Sequence, residues 1–153
     1  RERKMERKIY SLGEALIDFI PEVSGEPLKD VTSFKKAPGG APANVAAAAA
    51  KLGCSSYFIG KLGIDAFGDF LIDTLTDVGV KTDTISRTAN AKTALAFVSL
   101  KSDGERDFMF YRDPSADMLL SVNDIQSSWF GKNDILHFGS ISLIDNPCRD
   151  ATV

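Results

Sequence analysis

The sequence predicts an α/β domain built on a central, largely parallel sheet flanked by helices. Three observations carry this reading. Short apolar runs recur along the chain, at Lys8–Gly13, Ser56–Gly60 and Asp134–Gly139. Helical patterns, Ala43–Leu52 and Asp65–Val78, lie between these runs. Strands alternating with helices in this way form parallel sheets with helices on their faces. The third observation is a bare glycine pair, Gly39-Gly40, that opens directly onto the first helix. In such sheets ligands bind beyond the carboxyl ends of the strands. Asp18 and Gly39-Gly40 are expected to fall there.

The elements follow in order. Lys8–Gly13 reads as a strand, with Ile9, Tyr10 and Leu12 apolar. Leu16, Ile17, Phe19 and Ile20 continue an extended run to Pro21, interrupted by Asp18. A lone acid in apolar company is costly to bury unless it is paired or used. Alternation alone leaves two readings for Asp18, an outward-facing strand residue or a working carboxylate. Glu22–Asp30 is a polar excursion, and Val31–Ala37 is a short strand. Pro42 suits a first helical turn. The alanine run from Val45 favours helix, and Gly53 stops it. Asn44 adds a side chain that both donates and accepts. The glycine turn and its helix are either a plain loop-to-helix junction or a grip for a polyhydroxylated small molecule, since free helical N–H groups point out above the glycines.

Ser56–Gly60 reads as a buried strand. In Asp65–Val78, Phe67, Phe70, Leu71, Leu75 and Val78 recur at helical spacing, and Gly79 ends the helix. These aromatics are expected in the core. Thr82–Ile85 is a short strand candidate. Thr93–Leu100 and Arg106–Tyr111 form a hairpin about Ser102-Asp103-Gly104, because Asp-Gly accepts positive φ. Ser115–Leu120 reads as a short turn or helix, and Asn123 as the cap of a helix over Asp124–Phe130. Asp134–Gly139 is expected to be buried, with His137 a satisfied core residue. Asn146-Pro147 reads as an N-cap and first helical turn, which places Val153 inside a helix.

A chain of 153 residues with 44% hydrophobic content suits one domain with a real core. Its net charge of −3 gives no field for nucleic acid or an anionic membrane surface. No apolar run reaches membrane-spanning length. The opening Arg1–Lys8 is charged and lacks a signal peptide's apolar stretch. Met5 is a candidate start, with Arg1–Lys4 an upstream extension. The two cysteines, Cys54 and Cys148, have no metal spacing and suit a reduced, cytoplasmic compartment. Each is expected to be a small apolar filler. The chain holds no Gly-x-x-x-x-Gly-Lys-Ser/Thr phosphate loop and no Gly-x-Gly-x-x-Gly after a strand.

Taken together, Gly39-Gly40-Ala41-Pro42-Ala43-Asn44-Val45-Ala46, then Gly53 and Gly63, resemble the N-terminal signature of the ribokinase-like (PfkB) carbohydrate kinases. Gly63-Ile64-Asp65-Ala66-Phe67-Gly68 is similar to that family's next landmark, and Gly13–Phe19 to its opening strand. Lys36–Asn44 looks most like the fructokinase branch.

The resemblance implies a ribokinase-like fold with a small β-lid over the sugar, formed by segments about 18–38 and 93–112. It implies that Asp18 binds sugar hydroxyls beside Gly39, Gly40 and Asn44. Ala96 and Phe110 would face the sugar, Ala96 leaving room for its ring. Arg112, a surface arginine by default, matches a position that contacts substrate in related sugar-acid kinases. The implied activity is transfer of the ATP γ-phosphate, with Mg²⁺, to a small-molecule sugar such as fructose. The implied partner is a second copy, joined through the lids. The family's Asp-Thr-x-Gly-Ala-Gly-Asp segment, which supplies the catalytic base and anion hole, is absent from this sequence. Residues 1–153 are therefore expected to be the N-terminal part of such a kinase, carrying the sugar site but no catalytic residue, and inactive alone. Two alternatives stand beside fructokinase. One is a related kinase for another sugar, a sugar acid or a nucleoside; the other is a non-catalytic interaction scaffold.

Overall fold

The computed structural model describes residues 6–153, so Met5 and Arg1–Lys4 lie outside the described residues. Two four-stranded sheets organise the chain. The first contains β1 (Lys8–Leu12), β4 (Ser55–Gly63), β5 (Ile85–Thr88) and β8 (Ile135–Phe138), in the order β5-β4-β1-β8. All its pairings are parallel. From β1 the chain reaches β4 on one side and later β8 on the other. The carboxyl end of β1 is thus a topological switch point, where parallel sheets leave a crevice.

The second sheet contains β2 (Leu16–Pro21), β3 (Phe34–Gly39), β6 (Ala94–Leu100) and β7 (Arg106–Tyr111), in the order β3-β2-β6-β7. It is mixed: β2 runs parallel to β6 and antiparallel to β3, and β6 and β7 form a hairpin. Gly104, at φ 85°, takes the left-handed position that the hairpin turn demands.

Two helices pack beside these sheets. Helix α1 (Ala41–Lys51) starts two residues before the expected Ala43. Gly40 caps it at φ 101°, and Pro42 falls inside the first turn. Its small residues let it lie close to β4, where the Ser56 hydroxyl donates to the Ala46 carbonyl at 2.7 Å. Helix α2 (Ala66–Asp77) is capped by the Asp65 carboxylate, which accepts from the Gly68 N–H at 2.8 Å. One core gathers Ile17, Ala46, Phe58, Leu62, Leu71 and Leu75 between the helices and the sheets, with Phe67 and Phe70 packed on it. A second core gathers Tyr10, Leu12, Ile59, Leu120 and Cys148 on the other face of the first sheet.

Several expectations are corrected. No helix spans Asp124–Phe130. Two short 3₁₀ turns, Val122–Asp124 and Ser127–Trp129, replace it, and the capping residue is Ser121, not Asn123. The competing bonds explain this. Lys61 draws the Asp124 carboxylate into an ion pair at 2.9 Å, and the Tyr10 hydroxyl donates to the Trp129 carbonyl at 2.6 Å. The third strand is Phe34–Gly39 rather than Val31–Ala37, and the fifth is Ile85–Thr88 rather than Thr82–Ile85. The strand begun at Ser56 runs on to Gly63. Among the described residues β8 pairs only with β1, and Ile135, Leu136 and Phe138 are exposed where burial was expected, with His137 half-buried. Asn146 does not cap the last helix, α3 (Cys148–Thr152); Pro147 occupies that position. Cys148 is buried as expected, but Cys54 is exposed and fills no core.

Candidate functional site

The second sheet sets a row of four residues side by side. Ala37 pairs with Asp18, Asp18 with Ala96, and Ala96 with Phe110. Paired residues in a sheet share a face, so these four side chains rise from one surface. Next along the same face come Leu16, Gly39 and Ala94. Ala94 and Ala96 are buried, and their methyl groups keep the floor low beside the Asp18 carboxylate.

Gly39 leaves the Asp18 carboxylate its place. A side chain at position 39 would collide with the Asp18 carboxylate and with Leu16. Gly40 is required twice: by its positive φ and by the carbonyl of Glu14, which occupies the place of a Cβ. The glycine pair therefore brings the first turn of α1 against both the carboxyl end of β1 and the Asp18 strand. The Asn44 N–H donates to the Gly40 carbonyl at 2.9 Å, inside that first turn, and the Asn44 side chain is exposed.

Among the described residues, no hydrogen-bond donor meets the Asp18 carboxylate. Burial raises its pKa above that of an ordinary aspartate, and no neighbouring cation offsets this. A partly buried acceptor without a protein partner is suited to hydroxyl donors from a ligand. It lines a cavity of about 410 Å³ together with Ile20, Val98, Leu100, Arg106 and Phe108. Of these, the resemblance already sets Phe108 toward the sugar, while Ile20, Val98, Leu100 and Arg106 are not singled out by the sequence. The signal for Ile20 and Val98 was period-two alternation: Ile20 lies two residues from Asp18, and Val98 two from Ala96.

Arg112 does not line the Asp18 cavity, but it shares another opening with Phe110 and Thr93. It is mostly buried, not a surface arginine, and its guanidinium pairs with the buried Asp117, which also accepts from the Ser115 hydroxyl. Its Nε and the buried Glu14 Oε2 have no partner among the described residues. Both residues line a small, separate cavity of about 50 Å³. The opposite face of the second sheet rests on α2. Phe19 meets Phe67 edge-on with ring centroids 5.6 Å apart, and the Lys36 ammonium lies 3.9 Å from the Phe70 ring centre. The described residues contain no group of acidic, histidine or cysteine side chains that would hold a metal ion. None of their helices is long and apolar enough to cross a membrane.

Comparison with known proteins agrees with this architecture. Residues 6–153 match the family described as pfkB family carbohydrate kinase. Probable fructokinase-5 of Arabidopsis thaliana is 57% identical over 143 residues, which cover 94% of this chain and 44% of that protein. The fructokinase of Xylella fastidiosa superposes with a TM-score of 0.86 at 45% identity, covering 97% of this chain and 45% of that one. Its structure with bound ATP superposes at 0.83 and 46% identity, covering 97% and 46%. The fructokinase of Vibrio cholerae O395, in a form with fructose, ADP and calcium bound, superposes at 0.82 and 39% identity, covering 95% of this chain and 44% of that one. This chain thus spans under half the length of these relatives.

Proposed function

Because the chain belongs to the pfkB family of carbohydrate kinases, we propose that it supplies the sugar site of a fructokinase. The whole protein then transfers the ATP γ-phosphate to a hydroxyl of D-fructose, giving fructose 6-phosphate. The observation that carries this reading is the Asp18 carboxylate, partly buried and without a protein partner, set over Gly39 at the edge of an open cavity. A carboxylate there accepts bonds from two adjacent hydroxyls of one ring face, which reads the sugar's stereochemistry. The buried methyl groups of Ala94 and Ala96 leave room for the ring, and Phe110 offers it an apolar edge. Gly40 and the first turn of α1, with Asn44, close the other side.

The second sheet is the lid. Its closure excludes water, which competes with the sugar as phosphoryl acceptor. We assign no catalytic base and no Mg²⁺ ligand to residues 1–153, and place the contacts to ATP-Mg²⁺ mainly outside them. A homodimer through the lids and a cytoplasmic location belong to the same reading.

The test is turnover by the whole protein. ADP release should depend on D-fructose, with other hexoses, sugar acids and nucleosides poorer by kcat/KM. A preference for a sugar acid or nucleoside would move the protein to another branch of the family. No ADP release with any of these compounds, in a folded protein, would favour a scaffold.

A further inference from the structure

We propose that Asp65 and Thr93 form a pin that fixes the start of β6, and with it the Asp18–Ala96 row, to the N-terminus of α2. Both are positioning residues for the sugar, and the inference rests on the fructokinase reading above.

Thr93 is the last residue before β6, three positions ahead of Ala96. It is buried. The Asp65 carboxylate accepts from the Thr93 N–H at 2.9 Å and from the Thr93 hydroxyl at 2.8 Å. The same hydroxyl oxygen accepts from the Gly63 N–H at 3.0 Å. The Gly63 carbonyl, in turn, accepts from Arg87 Nε at 3.1 Å and Nη2 at 2.8 Å. The end of β4, the start of α2, the end of β5 and the entry to β6 thus converge on one hydrogen-bonded knot.

The knot explains two glycines of the Gly63–Gly68 motif by close approach. A side chain at position 63 would strike the Asp65 carboxylate and the Thr93 nitrogen; one at position 68 would strike the Gly63 carbonyl and crowd the Thr93 hydroxyl. Burial pushes the Asp65 carboxyl up, but donation from Thr93 and Gly68, with Lys92 nearby, outweighs it and leaves the group below the usual aspartate range. Capping α2 uses only the bond from Gly68. The two bonds from Thr93 go beyond what a cap needs. They join a helix rooted in the core to the strand that opposes Asp18.

That surplus separates a positioning role from a capping role. Asp65→Ser keeps a good helix cap but is too short to hold Thr93. Thr93→Val removes the hydroxyl at constant shape, and Thr93→Ser restores it. In the whole protein, Asp65→Ser and Thr93→Val should each raise the fructose KM by about tenfold, the weight of a lost hydrogen bond to a charged group. The KM for ATP should be unchanged, and Thr93→Ser should behave like the wild type. Without sugar, amide exchange in Ala94–Phe97 should accelerate in the two disrupting variants, with exchange in α2 unaltered. A wild-type fructose KM together with wild-type exchange in β6 would overturn the pin. So would acceleration confined to α2, which marks a cap alone. If Asp65→Ser does not fold, the Thr93→Val and Thr93→Ser pair decides. If the wild-type protein turns over no sugar, the functional reading fails, and the exchange measurement still decides the pin.

Discussion

The Asp18 carboxylate occupies the space that a side chain at position 39 would need. The two residues sit on neighbouring antiparallel strands, with Leu16 directly opposite Gly39. The glycine of the turn and the acid of the strand are thus one device. Gly39→Ala should push the carboxylate off its position. We expect the fructose KM to rise about tenfold or more, as for loss of a bond to a charged group. Steady-state kinetics with thermal melts check this, and an unchanged KM in a folded Gly39→Ala protein counts against it.

Asp18→Ala should lower kcat/KM for fructose roughly ten- to a hundredfold. No loss of Tm is expected, because the removed carboxylate is partly buried and has no protein donor. Kinetics matching the wild type would refute Asp18 as the sugar acceptor.

Acid pH should weaken sugar capture at an unusually high point for an aspartate. The ionised Asp18 carboxylate accepts hydroxyl bonds, and burial raises its pKa in the folded protein. The acid limb of kcat/KM for fructose should therefore have its midpoint above the ordinary aspartate range, and Asp18→Asn should remove that limb. Stability moves the other way. A carboxyl raised by folding disfavours the fold once ionised, so Asp18→Asn should stabilise most at neutral pH and least in acid. A limb retained in Asp18→Asn would belong to another group.

Arg112 should matter to stability whatever its part in binding. Its pair with Asp117 is largely enclosed, with side chains 18% and 5% exposed. Arg112→Met leaves a buried carboxylate with only the Ser115 hydroxyl, which should destabilise by about 3–5 kcal/mol. Replacing both, as Arg112→Met with Asp117→Leu, should recover much of that loss. Urea melts of the single and double variants decide the matter. A single variant as stable as the wild type would show that the pair is exposed in solution.

The lid should respond to sugar unevenly. Strands β2 and β3 are held on α2 through Phe19–Phe67 and Lys36–Phe70. The Glu22–Ser33 connection and the β6–β7 tip lack such anchors and expose Val23, Leu100 and Phe108. Fructose should slow amide exchange most in those two segments and least in β3. Uniform or absent slowing at saturating fructose would argue against a closing lid.

Much of this was legible in the residues. The alanine run with Pro42 and Gly53 gave α1, and helical spacing with Asp65 and Gly79 gave α2. The Asp-Gly turn gave the β6–β7 hairpin. Local chemistry decided those elements. It failed where distant partners intervene. Nothing near Asp124 announces Lys61, and nothing near Trp129 announces the Tyr10 hydroxyl, yet these bonds break the expected helix into turns. For the site, Asp18 and the glycine pair stood out as chemistry in apolar surroundings. The adjacency of Asp18, Ala96 and Phe110 is a matter of strand register, and one chain segment does not encode its register against another.

The parallel pairing of β2 with β6 also constrains the order in which the molecule assembles. Leu16 meets Ala94, and α1, β4, α2 and β5 all lie between them in the chain. Such a non-local contact waits for the intervening segments to settle, because loop closure is paid before pairing is rewarded. During synthesis β2 and β3 emerge well before β6 and remain a two-stranded ribbon, too small to be stable alone. Their partner arrives only after the core helices. Pulse-labelled refolding should therefore find amide protection in β1 and β4 before β2 and β6. The proposed sugar face therefore closes only after the first core, Ile17 to Leu75, has its helices, and a cell that stalls synthesis before Leu100 holds that core without the Asp18–Ala96 row.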